Sequence, residues 1–194
     1  RLSSIDVSEM DDNLLHVFKT NKRMMPHLHL SLQSGNNLIL KRMKRRHSRE
    51  QAIDLCRNLK AARPELTFGA DLIAGFPTES DTMFLDTIKL VEECDISWLH
   101  IFPYSGRPNT PASRMPQVNN HEISKRSKAL RDLAQRKKVQ HFAKLKDKTL
   151  SVLMESEYKG RAEDFTEITT NTPLKIGEIY PLKVHNYCAE SLVA

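Results

Sequence analysis

Residues 27–35 read His-Leu-His-Leu-Ser-Leu-Gln-Ser-Gly, and residues 70–79 read Ala-Asp-Leu-Ile-Ala-Gly-Phe-Pro-Thr-Glu. Each stretch alternates apolar and polar residues, breaks in a loop that contains glycine, and is followed by a helical pattern. That order is typical of a β-strand that leads into an α-helix. The two faces of the first stretch are Leu28, Leu30 and Leu32 on one side, and His27, His29, Ser31 and Gln33 on the other.

Four strands of this kind alternate with helices, which predicts an α/β fold with right-handed crossovers and a parallel sheet. Four strands are too few to close a (β/α) barrel, so we expect the later part of a longer barrel. Helices cover the outside of such a barrel, so the leucines should point outward and the polar residues inward. The predicted strands are 1–5, 27–33, 67–74 and 96–103.

Helix starts are predicted from residues that can cap the first turn. Ser8 with Asp11, and Thr78 with Asp81, have the spacing of a capping box, and Ser48 suits the N-cap of a third helix.

The second part of the chain has a different character. After a proline-rich linker, residues 121–148 form one long charged helix, and short β-type segments follow at 150–155, 165–170, 179–185 and 191–193. We therefore expect a barrel portion over 1–120, a basic linking helix over 121–148 and a small all-β module over 149–194, the β module.

The positive charge is concentrated rather than spread. The chain carries 30 Lys and Arg against 24 Asp and Glu, a formal net charge of +6. A dense cationic helix suits a polyanion such as RNA, because phosphate contacts dominate nucleic-acid affinity. The alternative is a solvated helix face that keeps the protein soluble.

Composition argues against several classes of protein. No apolar run approaches a membrane span, and no signal-peptide pattern opens the chain. The three cysteines are far apart, so we expect no disulfide framework and a reducing, cytoplasmic location. No hydrolytic triad or metal-ligand spacing is evident, and we expect neither a catalytic residue nor a metal ligand in this chain.

The inward faces of all four predicted strands are wholly or partly polar, which is costly unless water or a polar ligand satisfies them. Sites in barrel enzymes gather where the strands end, which predicts a rim of Gln33, Ser34, Gly75, Phe76, Glu79 and Tyr104. Gly75–Glu79 could cradle a nucleotide or could simply reverse the chain. Any single polar residue here could also be an ordinary wall residue.

Three blocks carry a specific resemblance: HLHLSLQSGNNLILKRMKRRHSREQ at 27–51, DLIAGFPTES at 71–80 and HIFPYSGRPNTPASRMPQV at 100–118. They resemble the radical S-adenosylmethionine methylthiotransferases that modify tRNA, most of all the branch that acts on threonylcarbamoyladenosine. Residues 149–194, with Gly-Arg-Ala-Glu-Asp-Phe at 160–165, resemble the OB-like, RNA-binding TRAM domain.

The resemblance implies S-adenosylmethionine and four-iron–four-sulfur clusters as cofactors. Family members hold these clusters with an N-terminal domain and a CxxxCxxC motif, and neither is in this sequence. We therefore expect a C-terminal fragment that runs from the third barrel strand onward and does not perform the reaction alone.

The resemblance also implies roles for individual residues. Ser3, Gln33, Ser34 and Asp71 would be polar contacts to S-adenosylmethionine, Gly75 and Phe76 would touch its adenine, and Arg45 or Arg46 would lie near anionic groups. Lys137, Lys138, Lys144 and Lys146 would bind tRNA phosphates, and Tyr158, Phe165 and Tyr187 offer stacking faces or fill the core of the β module.

The expected partners are S-adenosylmethionine and the tRNA anticodon stem-loop, with neither a membrane nor DNA. Two alternatives stay open. The chain could be a tRNA-binding module without chemistry, or it could belong to a sister methylthiotransferase that acts on isopentenyladenosine or on a ribosomal protein.

Overall fold

The computed structural model describes residues 2–188 and 190–194, without the side chain of Ser3. The first part of the chain forms a parallel sheet in the order β1-β2-β3-β4, which confirms the predicted α/β class. Three of the four strands have the predicted bounds. The strands are β1 (Leu2–Ile5), β2 (His27–Gln33), β3 (Thr67–Ala74) and β4 (Ile96–Pro103).

Helices cover the face of this sheet that carries Leu28, Leu30 and Leu32, all of them fully buried. The leucines therefore point outward, as predicted, and we call the opposite face the inner face. The helices are α1 (Asp12–Thr20), α2 (Asn37–Arg42), α3 (Arg49–Ala62), α4 (Asp81–Glu93) and α5 (Asn120–Leu145), with 3-10 turns at Val7–Glu9 and Pro111–Arg114.

Two of the predicted helix starts are wrong. Asp6, rather than Ser8, forms a capping box at the 3-10 turn, and Asp11 caps α1 alone. Ser80 caps α4, because Thr78 has a φ of +69° and belongs to the preceding turn. Ser48 caps α3 as predicted.

The β module contains a six-stranded sheet in the order β8-β5-β6-β7-β10-β9. Its core includes Val152, Met154, Ile168 and Val184. Sequence did not predict β6, because Lys-Gly-Arg-Ala has little strand propensity, and the two-residue β9 gives no periodic signal. The strands are β5 (Thr149–Ser156), β6 (Lys159–Ala162), β7 (Glu167–Thr169), β8 (Ile179–Lys183), β9 (Asn186–Tyr187) and β10 (Leu192–Val193).

Helix α5 connects the two parts. Leu130 and Leu133 belong to the core beneath the parallel sheet, whereas Phe142 and Leu145 belong to the core of the β module. The helix ends before the predicted 148, because Lys146 has left helical geometry at a ψ of 140°. Among the described residues, no helix is long and apolar enough to cross a lipid bilayer.

Candidate functional site

β3 ends in a tight turn that places Phe76 at the carboxyl edge of the parallel sheet. Gly75 has a φ of +77°, which glycine adopts without steric cost. Its N–H donates to Oε2 of Glu79 at 2.9 Å. Burial raises the pKa of Glu79, although Gly75 and Arg126 act in the opposite direction. One buried carboxyl group therefore fixes the shape of the turn.

A cleft of about 350 Å³ opens beside this turn, and we call it the Phe76 cleft. The ring of Phe76 meets that of Tyr104 edge-on, with centroids 5.4 Å apart. An apolar bed with a cationic rim suits a ligand that carries both a flat ring and an anionic group. The lining includes the apolar Ile73, Phe76, Pro111 and Ala112, and the cationic Arg42, Lys44 and Arg45.

Arg45 is held at the rim by Asp6. Its Nη1 donates to Oδ2 of Asp6 at 3.1 Å, and Nδ1 of His47 lies 3.1 Å from Oδ1 of the same carboxylate. Burial alone would raise the pKa of Asp6, but hydrogen bonds from Ser8 and His47 lower it to about 2. Asp6 is therefore ionised at neutral pH and orients Arg45. Arg45 and Phe76 thus share one cleft.

The missing side chain of Gly75 leaves room for another part of the protein, while the expected contact of Gly75 with adenine stays a prediction. A Cβ built on Gly75 would lie 2.5 Å from Cγ1 of Ile123, which belongs to α5. The side of Gly75 that lacks a side chain is therefore filled by a helix that begins 45 residues later, a packing partner that local sequence does not reveal.

The predicted ligand contact of Ser34 is also corrected. Ser34 is 1% exposed, lies 3.5 Å from Thr87 through its hydroxyl oxygen, and accepts a hydrogen bond from the N–H of Asn36. It therefore joins β2 to α4 instead of facing a cleft. Gln33 is buried at the end of β2 with a φ of +65°. The side chain of Ser3 lies outside the described residues.

Asp71 lies on the inner face, where two histidines contact it. Nε2 of His29 is 2.9 Å, and Nδ1 of His100 is 3.2 Å, from the same oxygen, Oδ1. Sequence spacing did not reveal this group, because 42 and 29 positions separate the histidines from the aspartate. The expectation that the chain has no metal ligand does not account for this group.

Part of the inner face is filled by protein, which sequence did not predict. The ring of His27 stacks on Phe165 of the β module at 5.1 Å, and Trp98 meets His141 of α5 edge-on at 5.5 Å. Phe102, near the end of β4, is in contrast half exposed. The polar inner face is therefore open toward its carboxyl edge and covered toward its amino edge.

The cysteines of this chain do not fit an iron–sulfur cluster. Cys56 and Cys94 are buried in the core beneath the sheet, and the exposed Cys188 belongs to the β module. None lines the Phe76 cleft. Cluster ligation is therefore not a role of these residues. The lining of the Phe76 cleft suits a ligand with a flat ring and an anionic group instead.

Known proteins resemble this chain in sequence and in fold. Residues 3–91 match the family model of the radical SAM superfamily. This match spans nearly half of the chain, from β1 into α4. Its fold is similar to the solved structure of coproporphyrinogen III oxidase (HemN) from Escherichia coli, a radical SAM enzyme. The TM-score is 0.57 at 18% identity, over 70% of this chain and 32% of that one.

Curated relatives of this chain include tRNA methylthiotransferases. It is 45% identical to threonylcarbamoyladenosine tRNA methylthiotransferase MtaB of Rickettsia prowazekii, over 93% of this chain and 43% of that protein. It is 32% identical to tRNA-2-methylthio-N(6)-dimethylallyladenosine synthase of Ruegeria pomeroyi, over 99% of this chain and 45% of that protein. The chain thus spans less than half the length of these relatives.

The prediction that Lys137 contacts a tRNA phosphate needs correction. Its side chain is 7% exposed, and its ammonium group donates to Asp95 at 2.9 Å and to Glu92 at 3.4 Å. It therefore fastens α5 to the turn before β4 and is not available to RNA. The helical period alone could not show this, because both acids come more than 40 positions earlier.

The other predicted RNA residues differ in how accessible they are. Lys146 is exposed, Lys144 is 61% exposed beside Asp95, and the ammonium group of Lys138 lies 5.5 Å from the ring centre of Phe142. Tyr158 is half exposed. These four stay predictions.

The prediction that Phe165 offers a stacking face to a base needs correction, because its ring already contacts other side chains of the protein. It stacks on His27, and the guanidinium carbon of Arg161 lies 4.4 Å from the ring centre. It therefore joins the β module to β2 instead of offering a free face to a base.

Sequence reasoning missed Arg126. Its Nη1 donates to Oε2 of Glu79 at 3.0 Å, and its Nη2 donates to Asp81 at 2.7 Å. This buried ion pair ties α5 to the turn beside the Phe76 cleft. No local signal marks it, because 47 positions separate Arg126 from Glu79.

Proposed function

We propose that this chain is part of a radical S-adenosylmethionine enzyme that inserts a methylthio group at C2 of threonylcarbamoyladenosine, next to the tRNA anticodon. The observation that carries the proposal is the 45% identity over 93% of the chain to a protein named for that reaction. The dimethylallyladenosine synthases of Ruegeria pomeroyi and Ehrlichia chaffeensis align at 32% and 36%, and the MtaB of Bacillus subtilis aligns at 33%. The 45% relative alone therefore favours the threonylcarbamoyl branch.

In this proposal, the Phe76 cleft binds S-adenosylmethionine. Ile73 and Phe76 would hold the adenine ring, and Arg45, oriented by Asp6, would face the carboxylate. Asp71 and Gln33 stay candidate polar contacts. When bound to a cluster whose ligands lie outside this chain, S-adenosylmethionine would supply the radical that activates the adenine of tRNA. The chain's own contribution is to position cofactor and substrate.

The tRNA would bind along the second half of α5. We assign phosphate contacts to Lys138 and Lys144 of this segment and to Lys146 just after it, and Tyr158 and Tyr187 of the β module stay candidates for base stacking. The β module itself is the proposed counterpart of a TRAM domain. We propose the cytoplasm as the site of action, with the anticodon stem-loop as the substrate region.

Variants at the Phe76 cleft test the cofactor part of the proposal. Cells that lack the gene are complemented with the wild-type protein, Phe76→Leu, Arg45→Gln or the matched control Arg46→Gln. Arg46 is exposed and does not line the cleft. We expect Phe76→Leu and Arg45→Gln to lower the methylthio nucleoside in bulk tRNA at least tenfold, and Arg46→Gln to restore it.

Melting temperatures of the purified variants separate binding from folding. Full activity of the well-folded Phe76→Leu and Arg45→Gln proteins would contradict the assignment of the cleft. Survival of the threonylcarbamoyl product in cells without the gene would instead contradict the proposed reaction and bring forward the isopentenyladenosine, ribosomal-protein or non-catalytic alternatives.

A further inference from the structure

Three side chains that could ligate a metal converge on the inner face of the parallel sheet. His29, Asp71 and His100 come from the adjacent strands β2, β3 and β4, and their ligand atoms lie within 4.8 Å of one another. They are the one such group of three found in residues 2–188 and 190–194. The two imidazole rings are 4.8 Å apart between centroids.

Strand register explains why these side chains meet. Asp71 lies directly opposite His100, and His29 lies opposite Gly69. A Cβ on Gly69 would stand 2.5 Å from Nδ1 of His29, so any larger residue would displace the imidazole. The missing side chain at Gly69 therefore lets His29 reach diagonally to Asp71.

The protein encloses one side of this group, and solvent reaches the other side. The side chain of His29 is 7% exposed and that of Asp71 is 17% exposed, whereas that of His100 is 61% exposed. Oδ2 of Asp71 accepts no hydrogen bond from any described residue. Protein thus occupies one side of a potential coordination sphere, and the remaining positions face the open part of the inner face.

Chemistry favours a particular class of ion. Bonds of about 2.1 Å place neighbouring ligands about 3 Å apart, close to the 2.9 and 3.2 Å separations of the nitrogens from Oδ1. Imidazole nitrogen suits zinc, cobalt, nickel and ferrous iron, whereas magnesium and calcium prefer sets made of oxygen ligands only. Two histidines and one carboxylate with open positions are the donor set of many such sites.

We propose that His29, Asp71 and His100 bind one divalent transition-metal ion of the zinc and ferrous class. The open positions of the ion face the inner side of the sheet, where water or a ligand oxygen completes its coordination. This site does not depend on the proposed methylthiolation, since it rests on three protein side chains and the register of their strands.

Cobalt(II) is the probe, because its visible absorption bands report coordination by protein ligands. The 194-residue chain is titrated with CoCl₂ in a Cys188→Ser background, which removes the exposed thiol as a competing ligand. Zinc bound after exhaustive dialysis is counted by elemental analysis. The variants are His100→Ala, at the most exposed ligand, and the isosteric Asp71→Asn. The matched control is His121→Ala, whose side chain is 83% exposed and lies outside the group.

We expect one metal ion per chain, at least tenfold weaker binding in His100→Ala and Asp71→Asn, and unchanged binding in His121→Ala. Circular dichroism and melting temperature establish that each variant is folded. The proposal is overturned if the folded parent retains no ion, or if His100→Ala and Asp71→Asn bind cobalt as tightly as the parent. Either result would make the group a hydrogen-bonded cluster of the sheet.

Discussion

Gly75 and Asp95 show how single residues connect distant parts of this molecule. Gly75 combines a positive φ with a close approach to Ile123, and Asp95 accepts hydrogen bonds from two lysines of α5. The glycine at 75 and the charges of α5 could be read from the sequence. Their partners could not, because long-range contacts are set by how the helix packs.

We predict that Gly75→Ala lowers the free energy of unfolding by about 2 to 3 kcal/mol, because strain at positive φ adds to overpacking against Ile123. The matched control is Gly177→Ala. Gly177 has a φ of +82°, yet a Cβ there would meet nothing within 4 Å. The control should cost about 1 kcal/mol. Urea unfolding of both variants measures the difference, and equal costs would contradict the packing of α5 on the turn.

We predict that Asp95 stabilises the fold above its ordinary pKa and loses this effect in acid. Burial alone would raise the pKa of Asp95, but Lys137 and Lys144 lower it to about 2 from an ordinary value of 3.8. Its contribution is therefore complete above about pH 4 and disappears as the pH falls through about 2. Because the side chain is 40% exposed, screening limits the contribution to about 1 kcal/mol.

Asp95→Asn tests this dependence, since asparagine tolerates the φ of +46° at this position. The stability difference from the wild type, measured by urea unfolding, should shrink as the pH is lowered from 6 toward 2. Asp54→Asn removes an exposed ion pair with Arg57 and serves as the control. A difference for Asp95→Asn that stays the same across this range would show that its ion pairs with α5 do not form.

At the scale of elements, the alternation of apolar and polar residues predicted the strands of the parallel sheet more accurately than it predicted the strands of the β module. β2, β3 and β4 have their predicted bounds, because alternation is strong there and loops with glycine or proline end it. Phe165, in contrast, was expected in a strand but has a φ of +75°, so β7 begins only at Glu167. Tertiary packing against His27 overrides its strand propensity.

The charge of α5 supports a prediction that distinguishes its lysines by their partners. Replacing Lys138, Lys144 and Lys146 together by Gln should reduce the slope of log affinity for tRNA against log salt by about 2 to 3, because each lost phosphate contact contributes about 0.7 to 0.9. The control replaces Lys125 and Lys128, which pair with Glu122 and Asp132 on the same helix. Filter binding at several salt concentrations measures both slopes. Equal slopes for the wild type and the triple variant would remove α5 from the RNA interface.

At the scale of the whole molecule, α5 and the contacts beside it hold the parallel sheet and the β module together. His141 of α5 lies 2.9 Å from Asp164, and Thr67 of β3 donates to the backbone carbonyl of Asp164 at 3.0 Å. Burial alone would raise the pKa of Asp164, but hydrogen bonds from His141 and Thr166 lower it. Sequence predicted the two parts and the helix between them. It did not predict these contacts between the two parts, because Thr67, His141 and Asp164 come from three separate regions of the chain.

The same contacts between the two parts explain which predicted site residues are accessible to a ligand. Contacts with α5 and the β module cover His27 and Trp98 and engage Lys137 and Phe165. The Phe76 cleft and the His29, Asp71 and His100 group stay open on the sheet. The carboxyl edge of the sheet is therefore open, and Lys144 of α5 lies beside the β module.

The most direct test of the account is mass spectrometry of nucleosides from bulk tRNA, in cells lacking the gene and in their parent. We predict loss of methylthio-threonylcarbamoyladenosine, accumulation of threonylcarbamoyladenosine, and unchanged methylthio-isopentenyladenosine. Loss of the isopentenyl nucleoside alone would assign the protein to the sister branch. Survival of every methylthio nucleoside would contradict the proposed function.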